Sequence, residues 1–257
     1  MEIKKNNYLF YINKNDKFSK KWFENNKLDV WEKDTFHILE YYKNNKNGIY
    51  IDIGSWIGPT VLYSAIIYKK VIAIEPDPVA IKRLKKNIAC NNFTNISLVE
   101  KGLSCENGTI DFGGNGDFGN SESTMLISNK EDFLSYKGRH TKKNRDQNQI
   151  VKIETITIEK LIEEQNIKPK NISLIKMDIE GGEKIVIPSI IDFLKKYKPV
   201  FYISLHYCFL RKSEIQEIID ILFNIYDKCY FFNDNGVKKQ VDKKKVEEKS
   251  LKSLVFE

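Results

Sequence analysis

Arginine is scarce in this chain: of 42 basic residues only Arg83, Arg139, Arg145 and Arg211 are arginines, and the rest are lysines. The guanidinium is the better bidentate ligand for phosphate. A formal net charge of +7 carried by lysine therefore does not by itself point to a nucleic-acid partner. Lysine, asparagine and isoleucine share A/T-rich codons, so an AT-rich genome gives this composition without selection for a polyanion. Cysteine is also sparse. Cys90, Cys105, Cys208 and Cys229 show no C-x-x-C spacing, which excludes a zinc ribbon or a disulfide framework and suits a reduced compartment; the expected location is the cytoplasm. No apolar run approaches the roughly 20 residues of a membrane span, and the charged, asparagine-rich start lacks the apolar core of a signal peptide. What remains is a 257-residue chain, 41% hydrophobic, long enough to bury a sizeable core as one domain with appendages.

Strands alternate with helices as βαβ units require. Residues 18–26 and 30–44 read as leading helices with Trp22, Trp31, Phe36 and Leu39 on their apolar sides. Strands are expected at 49–53, 71–75, 96–103, 151–156, 172–178 and 200–207, with GTIDF at 108–112 extending the sheet. Helices are expected over 59–69, 78–91, the residues up to about 165, and 212–225, where Ile215, Ile218, Ile219, Leu222 and Phe223 form one stripe. Asn235-Gly236 is a turn signal, and LKSLVFE reads as a closing antiparallel edge strand. The interruption between Gly113 and Asn148 is glycine-rich, then polar and basic, and reads as a functional loop or a solvated excursion.

Two motifs carry the chemistry. IYIDIGSWIG, residues 49–58, is an apolar strand ending on Asp52 and turning through Gly54 and Gly58. About twenty residues on, VIAIEPD ends on Glu75. Open α/β sheets hold the adenosine half of a cofactor in this way: glycines let backbone approach the ligand, and the second carboxylate takes the ribose hydroxyls. A dinucleotide site asks for G-x-G-x-x-G, but Trp56 occupies the second glycine position, where a pyrophosphate would pack. That argues against a NAD or FAD dehydrogenase. It leaves a phosphate-free adenosyl ligand, S-adenosylmethionine being the natural candidate.

DIGSWIGPTVLYSA, VIAIEPDPVAIKRLKKNIACNN and LIKMDIEGGE, in that order and spacing, resemble the FkbM family of S-adenosylmethionine-dependent O-methyltransferases. The likeness covers residues from about 30 to 208, and the K-M-D-I-E-G-G-E block narrows it to this family. It implies a Rossmann-like class I methyltransferase fold, α/β, with a mostly parallel seven-stranded sheet and helices on both faces. Residues 1–46 would form a helical lead-in, and 47–257 the methyltransferase domain with 113–148 as an inserted loop, a possible lid. The resemblance places Asp52 and Gly54 at the methionine end of the cofactor or its waters, and has Ser55, Trp56, Ile57 and Gly58 line the turn, Trp56 as a wall of the pocket. Glu75 falls on the ribose, with Pro76 and Asp77 shaping the adenine pocket. Trp31 and Glu32 resemble the family's lead-in helix, which can close over the cofactor. The acceptor would be a hydroxyl of a sugar, glycan or related small metabolite.

Methyl transfer from a sulfonium is an in-line displacement and needs no protein nucleophile. Positioning can lower the barrier by roughly 7–11 kcal/mol, and a placed base adds about 10²–10⁴-fold. Asp178 ends a strand, Glu180 and Glu183 follow within a turn, and three carboxylates so close need a cation or a proton among them. Glu183 also suits the start of the next helix. His206, at the end of the following strand, titrates near neutrality and is a candidate base beside them. Asp178, Glu180 and His206 are thus the candidate catalytic residues. No metal-ligand set is assigned, and a divalent metal stays open. The commoner family pattern has a glutamate two residues before this histidine; here Ser204 stands there. In the inserted loop Arg139, His140, Lys142, Lys143 and Arg145 could meet an anionic group on the acceptor, but no aromatic residue interleaves with them as a polynucleotide surface would require. An RNA methyltransferase, or a non-catalytic member binding an adenosyl ligand or a glycan, are the alternatives. Oligomeric state is not legible.

Overall fold

The computed structural model describes residues 1–25, 28, 31–43, 48–114, 118–126, 150–249 and 251–257. A hairpin of β1 (Glu2–Lys5) and β2 (Tyr8–Tyr11) comes first, ahead of helices α1 (Lys17–Asn25) and α2 (Lys33–Tyr42). Nothing in the periodicity of the lead-in signals that hairpin. Next come β3 (Ile49–Ile53), α3 (Pro59–Ile67), β4 (Lys70–Ile74), α4 (Pro78–Ile88) and β5 (Ile96–Val99). Strands β6 (Gly102–Leu103), β7 (Gly108–Gly114), β8 (Ser123–Thr124) and β9 (Ile150–Ile156) follow. The chain then runs through α5 (Ile158–Glu164), β10 (Ile172–Met177), α6 (Glu183–Ser189), α7 (Ile191–Tyr197), β11 (Val200–Ser204) and α8 (Lys212–Ile225). It closes with β12 (Cys229–Phe232), β13 (Lys238–Val241), α9 (Lys243–Lys249) and β14 (Ser253–Phe256).

The main sheet has the order β13-β12-β14-β11-β10-β3-β4-β5. From β11 to β5 all neighbours are parallel, while β14 lies antiparallel between β11 and β12. The sheet is therefore mixed and eight-stranded among the described residues, where seven strands were expected. The extra strand is β13, which folds back on β12 through the Asn235-Gly236 turn, with Gly236 at φ 74°. LKSLVFE is not an edge strand: β14 is hydrogen-bonded on both sides. GTIDF does not extend the main sheet either. As β7 it joins a second sheet of order β6-β9-β7-β8, because β9 takes partners on both of its edges.

Both faces of the central strands are covered, and the pleat divides their residues between two cores. Ile49, Ile51, Ile53, Ile175 and Met177 face the core under α6, α7 and α8. Tyr50, Leu174 and Tyr202 face the other, which contains Phe10, Phe23, Phe36 and Leu39 from the lead-in and Val61 and Leu62 from α3. Asp52 and Lys176 belong by alternation to this second face, and they are register partners across β3 and β10. Strand order reverses between β3 and β10, the position at which open α/β sheets bind ligands beyond their carboxyl ends. No helix of the described residues is long and apolar enough to cross a membrane.

Candidate active site

A cleft of about 1010 Å³, counting its open mouth, lies at this switch point. Its walls come from the β3–α3 turn, the end of β4, the segment 120–125, the end of β10 and the lead-in. The turn after β3 is held by Gly54 and Ser55, whose amides both donate to the Ile74 carbonyl. Gly54 has φ 87°, and a Cβ there would run into the Asp178 carbonyl oxygen. Its glycine is thus required by the close approach of β10 rather than by a ligand. Gly58 is similar, since a Cβ would strike the side chain of Leu84 on α4.

Glu75 faces the cleft and is only 6% exposed. Its carboxylate accepts from the Trp56 amide at 2.7 Å and the Asp77 amide at 2.8 Å. Burial outweighs these donors and pushes its carboxyl up to about 8. Asp77 lines the cleft, but its oxygens are engaged: one caps α4 through Val79 and Ala80, and the other accepts from the Gly119 amide and the Ser123 hydroxyl. The Gly119 carbonyl in turn accepts from the Trp56 indole and from Arg83. Ser55, Trp56 and Pro76 also line the cleft. Asp52, Ile57 and Gly58 do not line it. Ile57 is buried in the lead-in core, and Asp52 is fully buried beneath the turn, where Thr60 donates to it and Lys176 lies 3.7 Å away.

At the other end of the cleft Asp178, Glu180 and His206 meet, as their places at the ends of neighbouring parallel strands predict. After β10 the chain turns sharply, with Glu180 at φ 52°, a left-handed conformation costly for a residue with a Cβ. This returns the Glu180 carboxylate to within 3.4 Å of His206 Nε2, which also lies 3.1 Å from Asp178 Oδ1. The opposite nitrogen, Nδ1, is 2.9 Å from Glu183 Oε1. Glu183 opens α6, as its helix-start reading implied, and accepts the Ile179 amide at 3.1 Å. Its attachment to His206 was not legible, because it depends on how β11 ends.

Carboxylates at both ring nitrogens select the doubly protonated imidazole. Burial would pull His206 down, yet Glu183, Asp178 and Glu180 together push it up to about 12. An imidazolium has no free lone pair, so in this arrangement His206 is a donor and not the base expected from its place in the sequence. Asp178 is held well below the usual carboxylate range: burial opposes this, but Lys176 and His206 outweigh it. Glu180 has no lysine. Burial is its largest influence, His206 pulls against it, and Asp178 and Glu183 add to it, leaving the carboxyl at about 8.

Lys176 was missed from the sequence. It is 3% exposed, bonds Asp178 at 2.8 Å, and is raised above its ordinary value because Asp178, Asp52 and Glu32 outweigh burial. A lysine inside the apolar run ISLIKMD, in register with a buried aspartate, was its available signal. Asp178, Glu180 and His206 each present a ligand atom within 4.8 Å of the others, an oxygen and nitrogen set that a divalent cation could take only by displacing the proton from His206. Arg139, His140, Lys142, Lys143 and Arg145 lie outside the described residues.

A buried carboxylate beside a glycine turn in a partly apolar cleft fits an adenosyl group. Fold and cleft together define an α/β protein with a ligand site at the carboxyl ends of its parallel strands. The chain belongs to the FkbM methyltransferase family: the family model described as Methyltransferase FkbM domain matches residues 52–232. Among solved structures it is similar to the methyltransferase FkbM from Methylobacillus flagellatus KT, at 15% identity and TM-score 0.48, covering 85% of this chain and 50% of that one. The chain thus spans half the length of that relative. It is also similar to precorrin 8W decarboxylase from Methanobacterium thermoautotrophicum, at 14% identity and TM-score 0.40, with 86% of each chain covered. No curated protein sequence matches it.

Proposed function

We propose that this chain is an S-adenosylmethionine-dependent O-methyltransferase acting on a hydroxyl of a sugar, glycan or related small metabolite. The observation that carries this reading is the single cleft lined at one end by Glu75 and the Gly54–Trp56 turn and at the other by Asp178, Glu180 and His206. When bound, S-adenosylmethionine supplies the methyl group. Glu75 would hold the ribose hydroxyls, with Trp56 and Pro76 as walls. The remaining task for the chain is to place a hydroxyl and remove its proton. Glu180 suits that role, because a base tuned near the working pH combines availability with driving force. His206, fixed between Asp178 and Glu183, sets the position of Glu180 and donates rather than accepts. Of the 113–148 segment read as a lid, the described residues 118–126 border the cleft at Asn120 and Met125, where a lid over the acceptor would sit, and residues 127–148 lie outside the described residues.

Calorimetric titration with S-adenosylhomocysteine tests the cofactor, and transfer of a labelled methyl group to a panel of sugars and sugar nucleotides, with RNA in parallel, tests the acceptor. The expected result is binding of the nucleoside ligand and transfer to a glycosyl hydroxyl. Absence of binding would overturn the cofactor assignment, and preference for RNA would overturn the acceptor class.

A further inference from the structure

All three tryptophans of the chain, Trp22, Trp31 and Trp56, line one cleft. They come from α1, the turn before α2 and the turn after β3. Trp22 packs edge-to-face on Trp31 at 4.9 Å and on Trp56 at 5.0 Å. Their neighbours Phe23 and Phe36 are buried in the lead-in core, whereas the three indoles stay partly exposed to the cleft. Anchoring the lead-in does not require that exposure.

Glu32 lies beside them in the same wall, with a left-handed backbone at φ 40°. Thr35 donates to one of its oxygens at 3.2 Å. The lysine whose charge reaches it, Lys176, is already bonded to Asp178 and paired with Asp52. Burial first, then Asp178, pushes the Glu32 carboxyl up to about 8, a cost that a cation arriving in the cleft would relieve. Indole faces attract desolvated organic cations but do not ligate metals, and a carboxylate among them adds a charged acceptor. The matching chemistry is an ammonium group on carbon. Trp56 links this corner to the other end of the ligand, since its amide bonds Glu75 while its ring packs on Trp22.

The geometry points to an ammonium subsite built by Glu32 with Trp22, Trp31 and Trp56, which takes the α-ammonium of the cofactor's amino-acid end. This rests on the reading of the cleft as an S-adenosylmethionine site. Two ligands separate the parts: S-adenosylhomocysteine carries the amino-acid tail, and 5′-methylthioadenosine has the same nucleoside and thioether without it. Dissociation constants for both are measured by calorimetry on the wild-type chain, Glu32→Gln and Trp31→Leu. Loss of a charge-assisted bond should weaken S-adenosylhomocysteine about tenfold or more in Glu32→Gln, with a smaller loss in Trp31→Leu. Binding of 5′-methylthioadenosine should be unchanged in both, which also shows that the variants are folded. Unchanged S-adenosylhomocysteine affinity in Glu32→Gln, or equal weakening of both ligands, overturns the subsite alone. A wild-type chain that binds neither ligand overturns the cofactor reading, and the subsite with it.

Discussion

Glu180 and Asp178 are two residues apart and titrate in opposite directions, because Lys176 bonds Asp178 and His206 lies nearer Asp178. If Glu180 is the base, turnover should rise with pH through about 8, the value to which burial chiefly raises its carboxyl. Glu180→Gln should abolish that rise and lower kcat by about 10²–10⁴-fold, read from a pH–rate profile. A rate lost on chelation and restored by Mg²⁺ or Mn²⁺ would show that a cation assists the proton's departure. The same group leaves a mark on stability. Its folded-state value is raised, so its contribution is fully present below the ordinary carboxyl value of 4.5 and is lost as pH rises through about 8. Denaturant unfolding of Glu180→Gln should therefore vary less with pH across that window than the parent does. The sequence showed Asp178, Glu180 and His206 as candidates because strand ends in a parallel sheet converge. It did not show the protonation of His206, since that depends on Glu183 reaching Nδ1 from α6. Glu32 was named only through the family's lead-in; its partners lie in other segments.

Between elements, the Asp77 carboxylate joins α4 to the segment 118–126. One oxygen caps the helix, while the other holds Gly119 and Ser123. Asparagine can keep the cap, because its carbonyl still accepts, but its amide nitrogen cannot accept from Gly119. Asp77→Asn should therefore cost little in Tm yet raise hydrogen exchange at the Gly119 amide. Asp77→Ala should lose the cap as well, about 0.5–2 kcal/mol. Equal protection of Gly119 in all three proteins would remove Asp77 as the tie. The expected strands at 49–53 and 172–178, and the 212–225 helix, match their elements within a residue or two because apolar periodicity decides them. The fate of GTIDF and LKSLVFE was not readable. Their place depends on which partner edge is free after the central parallel strands have paired, a property of tertiary structure.

At the scale of the molecule, the site straddles two strands that are neighbours in space and far apart along the chain. Ile53 pairs with Met177, and everything from α3 to α5 is threaded between them. Closing so long a loop is entropically slow, and folds dominated by such pairings form in milliseconds to seconds rather than microseconds. The cleft does not exist until β10 has docked on β3, carrying the Asp178 carbonyl against Gly54. A ligand of the cleft can then act on only one limb of the folding kinetics. Saturating S-adenosylhomocysteine should leave the refolding rate unchanged and slow unfolding, measured by stopped-flow denaturant jumps in both directions. Faster refolding would mean that β3 and β10 pair before the rate-limiting step. For the cell, the consequence would concern lifetime: if the cleft takes the proposed cofactor, an occupied chain would be protected from proteolysis once native, and would gain no help in reaching that state.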